Sequence, residues 1–257
     1  MSGFRYERPG TLAEATALLA GAGGGARVLA GGTDLMIALR GGPQPGVLVQ
    51  DVAEDARIRG TFTALAEGAE AIGSLQIRWR ATVAGNLSNA SPCMDTAPPL
   101  LVLDGRLRIV GPQGTREAPL ADFFLGVKQT ALAPGELVTA VIVPKPAAGL
   151  SSAFDKVKRS YGHDLAIVNS AAAWDPAAGT LRVAIGSCAV RPALVPALTG
   201  GGPKADPKET GERLAVLAQE HILPIDDVRA SAEYRREMTA LLCRRLTTRL
   251  LGAGRKS

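Results

Sequence analysis

A chain of 257 residues, 46% hydrophobic and 21% charged, is long enough for two modest domains, each with its own core. Its net charge of +5 is modest, Lys204 to Lys208 and the Arg244-Arg245 pair are scattered, and only 4% of residues are aromatic, which excludes the basic stripe and stacking platforms of a nucleic-acid binder. Cys93, Cys188 and Cys243 are widely separated and only His163 and His221 accompany them, so no metal-ligand spacing is present; no apolar run reaches membrane-span or signal-peptide form, which predicts a cytoplasmic protein.

In chain order, Thr11-Leu12-Ala13-Glu14 has capping-box spacing and predicts a helix to about Ala20, stopping at Gly21. Gly23-Gly24-Gly25 breaks the chain before a strand over Arg27 to Ala30, a glycine turn, and a short helix from Asp34 to Leu39. Val47 to Asp51 reads as the next strand, and this strand–helix–strand order predicts parallel pairing. Phe62 to Ala71 reads as a helix ending near Gly73, and Leu107 to Val110 opens a hairpin around Pro112-Gln113-Gly114. Leu137 to Val143 is a β-branched strand stopped by Pro144 and Pro146, where the candidate linker begins.

Beyond the linker come three strands, Ala153 to Arg159, Ala166 to Trp174 and Leu181 to Val190. Helices follow over Glu209 to Gln219 and from Ser231 to about Leu251. The second half thus reads as an antiparallel sheet with helices on one side. On the last helix Tyr234 and Met238 lie four apart, with Leu241 and Leu242 following, so one apolar face docks on the sheet. Arg235, Arg236, Arg244 and Arg245 would then project toward solvent or a partner.

Two segments concentrate small residues and hydroxyls where an apolar run gives way to a turn. One is Leu29-Ala30-Gly31-Gly32-Thr33-Asp34-Leu35; the other runs from Arg80 through Thr82-Val83-Ala84-Gly85-Asn86 to Ser91, Pro92 and Asp95. Glycines there let backbone approach a ligand, and N–H groups of such turns bind anions, most of all at a helix start. Each loop alone equally describes an ordinary turn before a capped helix. Together they suggest a phosphate-bearing ligand held from both sides.

These two loops in this order, with Ile72-Gly73-Ser74-Leu75-Gln76-Ile77-Arg78 between them, resemble the FAD-binding medium subunit of molybdenum hydroxylases, the family of xanthine and carbon monoxide dehydrogenases. The likeness extends to Tyr6-Glu7-Arg8-Pro9, to Phe123-Phe124-Leu125-Gly126, to Phe154, Lys156 and Arg159, and to Asp227 through Arg235. It implies an α+β protein: a two-part α/β FAD-binding domain over 1–146, then an antiparallel sheet with a helical C-terminal bundle over 151–257. It further implies that Leu29 to Leu35 and Thr82 to Asn86 enclose the diphosphate, with hydroxyls from Thr33 and Ser91. Asp95 would accept from a sugar or ribityl hydroxyl, or else cap a helix before Thr96. Lys156 would lie near the flavin pyrimidine edge, or else be a solvated strand lysine. Val138, with Leu137, would pack on the ring system or simply in the core.

No Ser-His-Asp set, metal-spaced histidines or paired acid and base accompany these loops, as befits a subunit that moves electrons and breaks no substrate bond. The resemblance implies partners: a large molybdopterin subunit and a small subunit with [2Fe-2S] clusters, in a dimer of heterotrimers. Three departures stand out. Ala84 replaces a glycine, at a cost of roughly 1 kcal/mol if its φ is positive and none otherwise. Trp79 replaces an asparagine, and the stretch between Asp51 and Ile72 is short enough to lack a strand of the second flavin subdomain. Hence two alternatives: a structural subunit that has lost stable flavin, or a free-standing flavin reductase, for which no substrate-binding acid, base or arginine cluster is identified.

Overall fold

The computed structural model describes residues 7–23, 25–33, 49–200 and 206–252. Helix α1 (Leu12–Gly21) starts as the sequence predicts. Thr11 Oγ1 accepts from the Glu14 N–H at 3.2 Å, and Glu14 reaches back to the N–H of Gly10 at 2.7 Å rather than to that of Thr11. Arg27 to Ala30 is irregular, not a strand. The predicted helix from Asp34 to Leu39 lies outside the described residues.

Val49 opens a helix, α2 (Val49–Glu54), where a strand was expected. Helical phase turns Val49, Gln50, Val52 and Ala53 inward together, and this burial outweighs the strand preference of the valines. Helices α3 (Ala56–Thr61) and α4 (Thr63–Glu70) follow, so the short stretch before Ile72 is entirely helical apart from its junctions. Arg27 to Ala30 is irregular and Val49 to Asp51 is helical, and among the described residues every ladder is antiparallel.

Short helices α5 (Leu75–Arg78), α6 (Val83–Ser88) and α7 (Ala97–Val102) lead into β1 (Arg106–Gly111) and β2 (Gly114–Pro119), the expected hairpin. A 3₁₀ turn and the small β3 (Phe124–Gly126) and β4 (Gln129–Thr130) precede β5 (Leu137–Ile142), which completes a sheet of order β2-β1-β5.

The second half is a four-stranded sheet in sequence order: β6 (Ser151–Val157), β7 (Val168–Asp175), β8 (Thr180–Gly186) and β9 (Ala193–Thr199). The fourth strand escaped the sequence reading because it contains Pro196. Pro196 is tolerated since β9 lies at the sheet edge, at a register shift between the Leu198 and Val195 pairings. Helices α8 (Pro207–Glu220) and α9 (Ala232–Gly252) cover one face, where Ala172, Trp174 and Val183 meet Leu214, Leu242 and Leu246. The opposite face joins the first half. Phe154, Ala171, Ala173 and Ala184 share a core with Leu65, Ala69, Leu100 and Leu101. Covered on both faces, β7 reads as a run of small apolar residues rather than an alternating one.

One α9 arginine departs from expectation. Arg235 is buried, with 2% of its surface exposed, and donates to the carbonyls of Ile167 (2.5 Å) and Ser187 (3.0 Å) and to Asp227 (2.7 Å). It lies on the α9 side that faces the sheet, and those acceptors repay its dehydration. Arg236, Arg244 and Arg245 stay outside as expected: Arg244 pairs with Glu212 and Arg245 with Asp155. Arg249 reaches across to Glu67 on α4, whose carboxylate also accepts the Phe154 N–H at 2.9 Å.

Candidate functional site

The two glycine loops meet. A Cβ on Gly31 would stand 1.6 Å from the carbonyl oxygen of Arg80 and 3.0 Å from Cα of Ala81. Backbone occupies the place of a side chain, so only glycine lets the first loop lie on the entry to the second. Gly32 has φ of 74°, left-handed backbone that turns the chain away after this contact. Leu29, Ala30, Gly32 and Thr33 are half-buried around it. Asp34 and Leu35 lie outside the described residues.

In the second loop Thr82 is the N-cap of α6, and its Oγ1 accepts the Gly85 N–H at 3.0 Å. A Cβ on Gly85 would fall 2.7 Å from that same oxygen, and 3.8 Å from Cβ of Ala30 in the first loop. The Asn86 N–H is spent on the Thr82 carbonyl at 2.9 Å. That leaves Val83 and Ala84, whose N–H groups in the first helical turn have no partner among the described residues. Ala84 sits within the helix at negative φ, so it carries no backbone penalty. Trp79 caps α5 at its C-terminus with 47% of its surface exposed. Asn86 accepts from Thr96 Oγ1 at 2.6 Å, which ties the loop to α7, and Ser91 Oγ accepts the Cys93 N–H at 3.4 Å.

Asp95 and Lys156 are drawn together and nearly sealed, with side-chain exposures of 6% and 7%. Lys156 Nζ donates to Asp95 Oδ2 at 2.6 Å and to the Ala71 carbonyl at 3.1 Å. Asn169 Nδ2 donates to Asp95 Oδ1 at 2.6 Å and to the Met94 carbonyl at 3.2 Å. Burial pushes the Asp95 carboxyl above the ordinary carboxylate range, while the Lys156 ammonium and the Asn169 amide pull it back. Asp95 is no helix cap, since Thr96 holds that place. Lys156 is no solvated edge residue, unlike Lys158, which is exposed and donates to the carbonyls of Tyr161 and Gly162. Val138 is half-buried on β5, opposite Ile109 and packed on the first-half core.

Asn169 was not among the residues singled out from sequence. Its signal was available: a carboxamide inside the apolar run Ile167-Val168-Asn169-Ser170-Ala171, where an unpaired polar group would be costly. Arg78 is another structural donor, holding the carbonyls of Glu70 and Ile72 at 3.1 Å and Gln50 Oε1 at 2.7 Å. It fixes the end of α4 against α2. Among the described residues no cluster of His, Cys, Asp and Glu could hold a metal ion. Nor is any helix among them long and apolar enough to cross a membrane.

Residues 44–146 match the family model described as the FAD binding domain in molybdopterin dehydrogenase, and residues 152–250 match the CO dehydrogenase flavoprotein C-terminal domain. The chain is 30% identical over 278 residues to the carbon monoxide dehydrogenase medium chain of Afipia carboxidovorans, covering 96% of each. It is 28% identical over 281 residues to the xanthine dehydrogenase FAD-binding subunit of Escherichia coli O157:H7, again covering 96% of each. Both alignments exceed 257 residues, so each relative carries positions that this chain lacks. Among solved structures, carbon monoxide dehydrogenase from Hydrogenophaga pseudoflava, in a form lacking the Mo-pyranopterin moiety, superposes with a TM-score of 0.87 at 28% identity and covers 98% of both chains.

Proposed function

Since this chain belongs to the FAD-binding medium subunits of the molybdenum hydroxylases, an oxidoreductase family, we propose that it is the electron-transfer subunit of such a complex. It would receive electrons from [2Fe-2S] clusters on a small partner subunit and pass them to an external acceptor. The molybdopterin would sit on a large subunit, and the whole would form a dimer of heterotrimers. Residues 1–146 would carry the cofactor and 151–257 would form the second domain.

The observation that carries this reading is the contact of the two loops through Gly31. The donors there suit a diphosphate: N–H groups at Val83 and Ala84 with no partner among the described residues, and half-buried hydroxyls on Thr33 and Ser91. Leu29, Ala30 and Gly32 would shape the first wall, with Asp34 and Leu35 continuing it. Thr82, Gly85 and Asn86 would keep the second rigid through the cap and the Thr96 bond. Bound FAD would supply the redox chemistry, accepting electrons singly or in pairs. Asp95 keeps acceptor capacity beyond its two bonds, enough for a ribityl hydroxyl, and Lys156 retains one proton for the flavin edge. Val138 would contribute apolar surface beside the ring.

Co-purification from the native source, with mass spectrometry and metal analysis, tests the assignment. A molybdenum-containing large subunit and an iron–sulfur small subunit should accompany the chain. A free, fully active species of this chain alone would overturn it. An assembled complex without flavin would instead favour the structural-subunit reading, which the positions missing relative to the family motivate.

A further inference from the structure

Lys156, Asn169 and Gly186 are directly opposite one another on β6, β7 and β8, a single row across the sheet. They share the face of Phe154, Ala171 and Ala184, which packs on the first half. We infer that this row is a positioning device: it fixes the conformation of the 92–95 segment of the second loop and, through it, the surroundings of the flavin. The flavin part of this inference rests on the function proposed above.

The grip is built from both backbone and side chains. The Ser187 N–H donates to the Pro92 carbonyl at 2.8 Å, just past the end of the row. Asn169 holds the Met94 carbonyl and Asp95 Oδ1, and Lys156 holds Asp95 Oδ2. From the other side, a Cβ on Gly68 would meet the Asp95 carbonyl at 2.5 Å, so α4 presses on the same segment.

Gly186 explains the geometry of Asn169. A Cβ there would lie 2.0 Å from Asn169 Oδ1 and 3.3 Å from the Pro92 carbonyl oxygen. Asn169 Oδ1 is buried without a hydrogen-bond partner among the described residues, a cost a fold does not keep without compensation. Here the compensation lies at the other end of the carboxamide, where Nδ2 makes two bonds to one loop. The orphaned oxygen is the consequence of aiming both donor protons at Met94 and Asp95. Neither Asn169 nor Gly186 is offered to a cofactor: Asn169 is fully buried and Gly186 is buried beneath it.

The test compares Gly186→Ala and Asn169→Leu with Val183→Ala, in the full chain and in the assembled complex. Val183 is on the same strand as Gly186 but faces α8 and α9, so its truncation loosens the sheet without touching the row. Amide hydrogen exchange at Cys93, Met94 and Asp95, normalised to the amides of α9, reads the loop directly. Flavin per chain and the flavin absorption band read its consequence. Both row variants should speed loop exchange at least tenfold and shift the band or lower flavin content at least threefold, whereas Val183→Ala should do neither. Where Gly186→Ala fails to fold, Asn169→Leu, close to isosteric, carries the comparison. Unchanged loop exchange in the row variants, or an equal response in Val183→Ala, overturns the proposal. So does faster exchange with an unaltered flavin. A wild-type complex without flavin would refute the proposed function, while exchange would still decide whether the row holds the loop.

Discussion

Replacing Lys156 with methionine removes one member of a buried ion pair and leaves its length and apolar stem nearly intact. Asp95 would remain at 6% side-chain exposure with Asn169 as its one side-chain donor among the described residues. Leaving one charge of such a pair unpaired costs about 3–5 kcal/mol. For a chain of this size each kcal/mol corresponds to a Tm change of about 2–4 °C, so a loss on the order of 10 °C is expected at neutral pH. The deficit should shrink in acid. Burial already raises the Asp95 carboxyl, and without the ammonium nothing of like strength pulls it back. A group whose folded value lies above its unfolded one gives stability that is complete below the unfolded value and lost as pH rises through the folded value. Lys156→Met should therefore come closer to wild type as pH falls below neutral and Asp95 takes up a proton. Adding Asp95→Asn should restore much of the loss at neutral pH. Thermal melts of the single variant, the double variant and wild type, from neutral to acid pH, make the measurement. A Lys156→Met deficit that is absent, or that stays constant with pH while Asp95→Asn gives no rescue, would refute the reasoning.

Other outcomes follow from individual contacts. Gly31→Ala places a methyl inside the Arg80 carbonyl, so the loops must separate; flavin per chain, read by absorbance after release, should fall sharply while the far-UV circular dichroism persists. Gly32→Leu should do the same by straining a left-handed residue. Arg235→Met should lower stability by about 3–5 kcal/mol, measured by urea denaturation, because it strips Asp227 and two carbonyls of a buried donor. Burial tends to raise Asp227, but the N–H groups of Arg229 and Ala230 and the Arg235 guanidinium outweigh it and hold the carboxyl at about 2. Its contribution is present above the ordinary carboxylate value and is lost as pH falls toward about 2, a loss that should be smaller in Arg235→Met. Of the three thiols, half-exposed Cys93 alone should label in the folded chain; burial drives Cys188 up to about 11 and Cys243 up to about 12.

What the sequence disclosed and what it withheld divide along physical lines. Local signals were legible: the Thr11 cap, the Gly114 hairpin, and the two long C-terminal helices. Strand assignments at Arg27 to Ala30 and at Val49 failed because short apolar runs do not distinguish a strand from a buried helix or an irregular wall. The fourth strand was hidden by Pro196, whose tolerance at an edge is a tertiary fact. The glycine loops stood out, yet the reason for Gly31, a contact with a backbone some fifty residues away, did not. Asp95 and Lys156 were picked out singly as ligand contacts; their direct pairing, with Asn169 on the other carboxylate oxygen, depends on a cross-strand row that no local spacing encodes. Arg235 was misplaced for the same reason. An arginine on a helix is assigned to solvent by default, and only the convergence of Ile167, Ser187 and Asp227 makes its burial sustainable.

The central claim is that this chain holds FAD between its two loops within a larger oxidoreductase. The most direct measurement is the flavin released per chain from the intact complex, identified by chromatography and set against a Gly31→Ala complex prepared in parallel. The account predicts close to one FAD per wild-type chain and little in the variant. An assembled complex with no flavin, or a variant that keeps it in full, would contradict it.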